Sequence, residues 1–62
     1  MDRQQLKEAI LEELRRRPVG LFELSIELDE SPTLVLEALQ ELESEEKVGP
    51  RPLWDSTYWR ME

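Results

Sequence analysis

The 62-residue chain has no cysteine, no histidine and no asparagine. Without cysteine it forms no disulfide, and without histidine it lacks the commonest general base and the commonest zinc ligand. A serine nucleophile would have no histidine to activate it. We therefore expect no catalytic residue, no metal site and no cofactor, so that the protein is not an enzyme.

Long apolar runs are also missing, since a membrane-spanning helix needs about 20 apolar residues. The first five residues, Met1 to Gln5, lack the apolar centre of a signal peptide. So small a chain also has little volume for a pocket that takes a small-molecule substrate. The sequence predicts a cytoplasmic protein without a membrane partner. Six Arg against two Lys, and no Asn, give it a thermophile-like composition.

Basic residues are absent from the middle of the chain. Residues 21–46 contain nine acids and neither Lys nor Arg, whereas residues 1–20 and 47–62 each sum to +1. The net charge of −7 is therefore concentrated in that acidic segment. A nucleic acid would be repelled by it, because DNA is a dense line of negative charge.

The apolar spacing of the chain predicts three helices. Leu6, Ile10 and Leu14 recur every four residues, and Pro18 ends the helix that they define. Ser31 is a good N-cap for the last helix, with Pro32 at its first position. We expect helices over about 2–17, 21–28 and 32–45.

The third helix has distinct inner and outer faces. Its inner face should hold four apolar residues: Val35, Ala38, Leu39 and Leu42. Its outer face should hold Thr33, Glu37, Gln40 and Ser44. After it, residues 47–61 change in character, because Gly49 to Pro52 cannot be helical and Thr57 to Met61 is rich in β-forming residues. We expect a β-ribbon there, with Trp59 and Met61 on one face and Tyr58 and Arg60 on the other.

Three helices followed by a small ribbon resemble the winged helix-turn-helix family. The resemblance depends on Leu24 to Leu28 for the second helix, on Val35, Leu39 and Leu42 for the third, and on Tyr58 to Met61 for the returning strand. It implies one mainly α domain over residues 1–62 with a small β-ribbon, the wing, at about 47–61. Members of the family are mostly DNA-binding transcription regulators, and many others are protein–protein adaptors.

If the domain binds DNA, its contacts must come from the basic residues at the two ends of the chain. In the family, positions on the third helix and the wing reach bases and phosphates. The alternative is that these cations suit a helix dipole or pair with nearby glutamates. The candidate nucleic-acid contacts are Arg15, Arg16, Arg17, Lys47, Arg51 and Arg60.

A protein interface is the other possibility. Leu34, Val35 and Leu36 form an apolar run that one helix face cannot fully bury, so at least one of them should be partly exposed. Three large aromatics near the C-terminus are many for so small a core. The alternative is that the aromatics fill the bundle and the acids are simply solvated. The candidate interface residues are Leu34, Leu36, Trp54, Tyr58, Glu37 and Glu41.

The sequence thus favours a non-enzymatic winged-helix binding module. Charge favours a protein–protein interaction or dimerisation element of transcription- or DNA-associated machinery, with a protein partner or a second copy of the chain bound. The alternative is a DNA-binding transcriptional regulator that contacts phosphates through Arg15 to Arg17 and the wing.

Overall fold

The computed structural model describes residues 1–53 and 56–62. The elements follow the predicted order, with one short additional strand before the second helix. Their bounds are α1 (Arg3–Arg16), β1 (Val19–Gly20), α2 (Leu21–Leu28), α3 (Pro32–Ser44), β2 (Val48–Leu53) and β3 (Ser56–Met61).

The helix boundaries follow from local hydrogen bonding. Asp2 caps α1, because its carboxylate accepts from the backbone N–H of Gln5 at 2.8 Å. The Gln5 side chain accepts in return from the backbone N–H of Asp2 at 3.1 Å, which completes a capping box. At α3, the Ser31 hydroxyl accepts from the N–H of Leu34 at 3.3 Å, with Pro32 in the first turn. The N-cap predicted at Ser31 is therefore confirmed.

The three strands form one antiparallel sheet in the order β1-β3-β2. β3 lies in the centre, where Trp59 pairs with Val19 on one side and with Pro50 on the other. β1 was not predicted from the sequence, since a two-residue strand has no periodicity of its own. Val19 and Gly20 are extended only because β3 supplies a partner.

The core lies between the helices and the inner face of the sheet. Trp59 is only 6 % exposed and Met61 packs against the core, whereas Arg60 is exposed, as the ribbon pattern predicted. The expected inner faces of α1 and α3 are buried as well, and β1 and β2 each add one valine. The buried apolar residues are Leu6, Ile10, Leu14, Val19, Leu24, Val35, Ala38, Leu39, Leu42, Val48 and Trp59.

Candidate nucleic-acid interface

The outer face of α3 is the first part of the candidate site. Burial of Val35, Ala38, Leu39 and Leu42 fixes the rotation of the helix, so that its opposite face is turned away from the core. Four residues were predicted on that face, and each of them is exposed: Thr33, Glu37, Gln40 and Ser44. This face can therefore meet a macromolecule without unfolding any part of the domain.

Two cations from α1 neutralise one edge of α3. The guanidinium of Arg3 binds Glu37, with Nη2 2.9 Å from Oε1, and also pairs with Glu41. Lys7 donates from Nζ to Oε2 of Glu45 at 2.5 Å and lies 3.9 Å from Glu41. Glu37, Glu41 and Glu45 are one turn apart, so they form a single row along the helix. These acids, which were expected to repel DNA, are therefore largely compensated.

The basic run at the end of α1 does not form one continuous patch. Arg17 bridges Glu23 at 2.6 Å and Glu27 at 3.0 Å, both in α2. Arg15 and Arg16 instead have partners within α1, at 2.9 Å and 3.8 Å, which are Glu12 and Glu13 respectively. The two interpretations of this run, contact with phosphates and pairing with nearby glutamates, therefore apply to different residues. Arg17 pairs with the acidic segment, whereas Arg15 and Arg16 remain mostly exposed beside intrahelical partners.

Two pKa shifts show the balance of charge among Arg17 and its neighbouring glutamates. A hydrogen bond to Glu23 raises the pKa of Arg17 above its ordinary value. A hydrogen bond with the Glu13 carboxyl raises the pKa of Glu27, and desolvation acts in the same direction. At this junction of α1 and α2 the carboxylates exceed the cations, so Arg17 is an internal neutralising charge.

The cations on and beside the hairpin that β2 and β3 form have fewer ion-pair partners among the described residues than Arg3 and Arg17. Lys47 lies 3.5 Å from Glu45, and Arg51 lies 3.2 Å from Glu62. Within residues 1–53 and 56–62, no carboxylate is within ion-pair distance of Arg60, which is exposed on β3. Arg60 is therefore the candidate contact with the most freedom to reach a phosphate.

The predicted protein-interface residues divide into two groups. Leu34 is 41 % exposed, which confirms that part of its apolar run stays outside the core. Leu36 and Tyr58 are half-buried, and Leu36 packs against the core. The predicted contact at Trp54 lies outside the described residues. The other two candidates, Glu37 and Glu41, are held by Arg3 through ion pairs.

Two exposed apolar side chains on α2 were not predicted from the sequence. Phe22 is 68 % exposed and Ile26 is 80 % exposed, one turn apart, and they are the most exposed large apolar residues in the described part of the chain. The helical spacing could have found them, because Leu21, Leu24 and Leu28 define the inner face of α2 and leave both residues outside.

The described residues contain no group of three acidic, histidine or cysteine side chains that could hold a metal ion. None of the helices described is long and apolar enough to cross a membrane.

No family model and no curated protein matches the sequence. Solved structures do match the fold. A mutant of ZitR from Lactococcus lactis in its apo form superposes with a TM-score of 0.91 at 22 % identity, over 97 % of this chain and 48 % of that one. The adhesin competence repressor AdcR from Streptococcus pyogenes gives a TM-score of 0.89 at 20 % identity, over 92 % of this chain and 45 % of that one.

The chain has the winged helix-turn-helix fold. In this winged helix, α2 and α3 are the helix-turn-helix and the β2–β3 hairpin is the wing. The chain spans less than half the length of the ZitR and AdcR structures that it matches. The likeness therefore concerns this domain and its fold.

Proposed function

We propose that this winged helix binds duplex DNA as the DNA-binding domain of a transcriptional regulator. The observation that carries the proposal is the pairing of Arg3 and Lys7 with the row Glu37, Glu41 and Glu45. It weakens the main physical objection to DNA, which was the excess of acids over residues 21–46, because three of the nine acids are paired with cations of α1. The likeness in fold to AdcR, which is named as a repressor, supports the same conclusion.

Base contacts would come from the uncharged part of the outer face of α3. Thr33, Gln40 and Ser44 are exposed there and offer hydroxyl and amide groups. A glutamine amide can donate and accept at once on the edge of an adenine in the major groove, and hydroxyls adapt to several bases. We assign the sequence-reading role to Gln40, flanked by the two hydroxyl residues.

Phosphate contacts would come from the wing. Arg60 is exposed without an ion pair in the described part of the chain, and the bridge between Arg51 and Glu62 is solvent-exposed and easily exchanged for a phosphate. Lys47 lies at the base of the same hairpin. With so few cations, affinity should be modest and should fall steeply with salt, because each phosphate contact releases counterions.

The sequence alone favoured a protein partner over DNA, and the regulator is now better supported. Arg3 compensates two of the acids that were assigned to a protein interface, and Leu36 is packed against the core. Leu34 alone among the described apolar candidates remains substantially exposed on α3. That is a small surface for dimerisation.

The test is an NMR amide titration of the labelled domain with a mixed-sequence duplex at low salt. We expect shifts on the outer face of α3 and on the wing. Arg60→Glu should weaken binding roughly tenfold, equivalent to about 1.4 kcal/mol, because it replaces a phosphate contact with a repulsive charge. Arg15→Glu changes the net charge equally at the far end of α1 and is the matched control. It should have a smaller effect.

Two results would contradict this proposal. A wild-type domain without shifts at low salt would show that compensating the acids of α3 is not enough for DNA binding. Equal weakening by Arg60→Glu and Arg15→Glu would contradict the assignment of phosphate contacts to the wing, because it would follow from net charge alone or from an equal contact at Arg15.

A further inference from the structure

We propose that the outer face of α2 docks a basic, apolar segment of a protein partner. Phe22 and Ile26 are one turn apart on this helix and expose 68 % and 80 % of their surfaces. Residues three or four apart on a helix are neighbours, so the two side chains form one continuous apolar strip. We call Phe22, Ile26 and the acids of residues 21–30 the α2 strip.

The exposure is a consequence of how α2 is packed. Leu24 is fully buried and Leu21 and Leu28 pack against the core, which turns the opposite side of the helix outward. Neither Phe22 nor Ile26 belongs to that core. Single exposed apolar residues are common on protein surfaces, but an adjacent pair of this size beside a groove is typical of a binding site.

That groove lies between α2 and β3. It has a volume of about 540 Å³ and is lined by Leu21, Phe22, Leu36, Tyr58 and Trp59, among others. Phe22 therefore belongs to both the groove and the exposed strip. A large apolar side chain of the partner would enter the groove as the anchor, and the rest of the segment would continue over Ile26.

The charges around the strip decide what kind of segment fits. Residues 21–30 include no Lys or Arg, and their acids are Glu23, Glu27, Asp29 and Glu30. Arg17 compensates Glu23 and Glu27, and Glu30 lies 3.8 Å from the N-terminal amine. The remaining excess is negative, so the complementary surface combines apolar residues with Lys or Arg.

The same charges disfavour two other occupants. A second copy docked through the same strip would oppose these acids to one another, since a twofold interface joins a patch to itself. Duplex DNA would meet a surface with an excess of negative charge. A cationic, amphipathic protein segment is complementary to both parts of the surface, because its apolar side chains would pack on Phe22 and Ile26 and its cations would pair with the acids. Docking at the α2 strip does not depend on the proposed DNA binding.

The experiment uses two synthetic helical peptides and the labelled domain. In the first peptide, leucines at positions four apart are flanked by lysines; in the second, each lysine is replaced by glutamate. We expect the lysine peptide to shift the amides of α2 and of β3 around Tyr58, and the glutamate peptide to leave them unchanged. Ile26→Ser and Phe22→Ser should each weaken the binding roughly tenfold. Both residues are exposed, so both variants should keep the fold.

Leu34→Ser is the matched control, because it removes an exposed leucine outside the α2 strip. It should leave the affinity for the lysine peptide unchanged. The proposal is overturned if the lysine peptide leaves the amides of α2 unshifted up to a concentration of about 1 mM. It is also overturned if Ile26→Ser binds as well as the wild type, which would reveal charge attraction alone. Shifts of Phe22 and Ile26 with duplex DNA would overturn it as well, since they would identify the strip as a nucleic-acid contact.

Discussion

At the scale of single residues, Lys7 is the most consequential cation of the described chain. It is only 9 % exposed, and its ammonium group donates to Glu45 at 2.5 Å. Its stem packs on the bundle while its charge reaches the end of α3. The hydrogen bond with Lys7 is the main reason why the pKa of Glu45 lies below the ordinary value of a glutamate.

Lys7→Met should raise the pKa of Glu45 towards its ordinary value, because methionine keeps an apolar stem and removes the charge. A carboxyl whose pKa is lowered by folding stabilises the fold above its unfolded pKa. That contribution is lost as the pH falls through the lowered value. The measurement is a carbon-detected NMR titration of the glutamate side chains in both proteins.

Glu27 provides an internal control for this titration. Its pKa is raised, chiefly by the hydrogen bond with Glu13. Its contribution to the stability of the fold therefore changes with pH in the opposite direction to that of Glu45. That contribution is present at low pH and is lost as the pH rises through the raised value. Lys7→Met should leave Glu27 unchanged. If the pKa values of Glu45 and Glu27 both shifted in Lys7→Met, the cause would be the change in overall charge and not the loss of the specific pair of Lys7 and Glu45.

At the scale of elements, the ends of α2 and α3 share an unusual feature. Asp29 and Glu46 both have a positive φ, of 54° and 64°, where glycine is the usual residue. At α3 the N–H of Lys47 donates to the Leu42 carbonyl at 3.0 Å and that of Glu46 donates to the Glu43 carbonyl at 2.9 Å. This is the pattern of a Schellman motif, which turns the chain from α3 into the wing.

Glu46→Gly should therefore stabilise the domain by about 0.5–1 kcal/mol. A side chain in the left-handed region costs roughly 1–2 kcal/mol, and the greater freedom of glycine in the unfolded chain offsets part of the gain. Urea unfolding followed by circular dichroism measures the difference. Glu46→Gln removes the same charge but keeps the Cβ, so it separates strain from electrostatics. Equal stabilisation by both variants would show that charge, and not backbone strain, is responsible.

The elements also show which parts of the fold were predictable. Local signals were sufficient for the helices, because leucine spacing marks their inner faces and Ser31 with Pro32 marks the start of α3. β1 could not be predicted, since its two residues are extended only through their pairing with β3. Likewise, no local sequence pattern predicts the ion pairs of Arg3 with Glu37 and Glu41, because both glutamates are more than 30 positions away along the chain.

The candidate site was predictable to a different extent. The outer face of α3 followed from helical periodicity, and the structure exposes Thr33 and Gln40 as expected. Its effective charge did not follow, because the compensating cations belong to α1 and depend on the tertiary packing. A count of charges along residues 21–46 therefore overstated the repulsion that DNA would meet at α3.

At the scale of the whole molecule, stability depends on a small core surrounded by exposed ion pairs. Most of the pairs described are solvent-exposed, and each such pair contributes about 0–1 kcal/mol. Typical domains have about 0.05–0.15 kcal/mol of stability per residue, which gives roughly 3–9 kcal/mol for a chain of this size. Leu39, fully buried on α3, is therefore a large part of what holds the three helices and the sheet together.

Leu39→Ala should remove a large share of the free energy of unfolding and lower the midpoint of thermal unfolding well below that of the wild type. Replacing a buried leucine with alanine costs about 2–5 kcal/mol, because the transfer energy of the lost methyl groups adds to that of the cavity. Leu34→Ala is the matched control, since it is the same substitution on the same helix at a side chain that is 41 % exposed. It should change the free energy of unfolding by less than about 0.5 kcal/mol. A cooperative thermal transition of Leu39→Ala near that of the wild type, followed by circular dichroism, would mean that the ion pairs between helices, and not the core, dominate the stability of this winged helix.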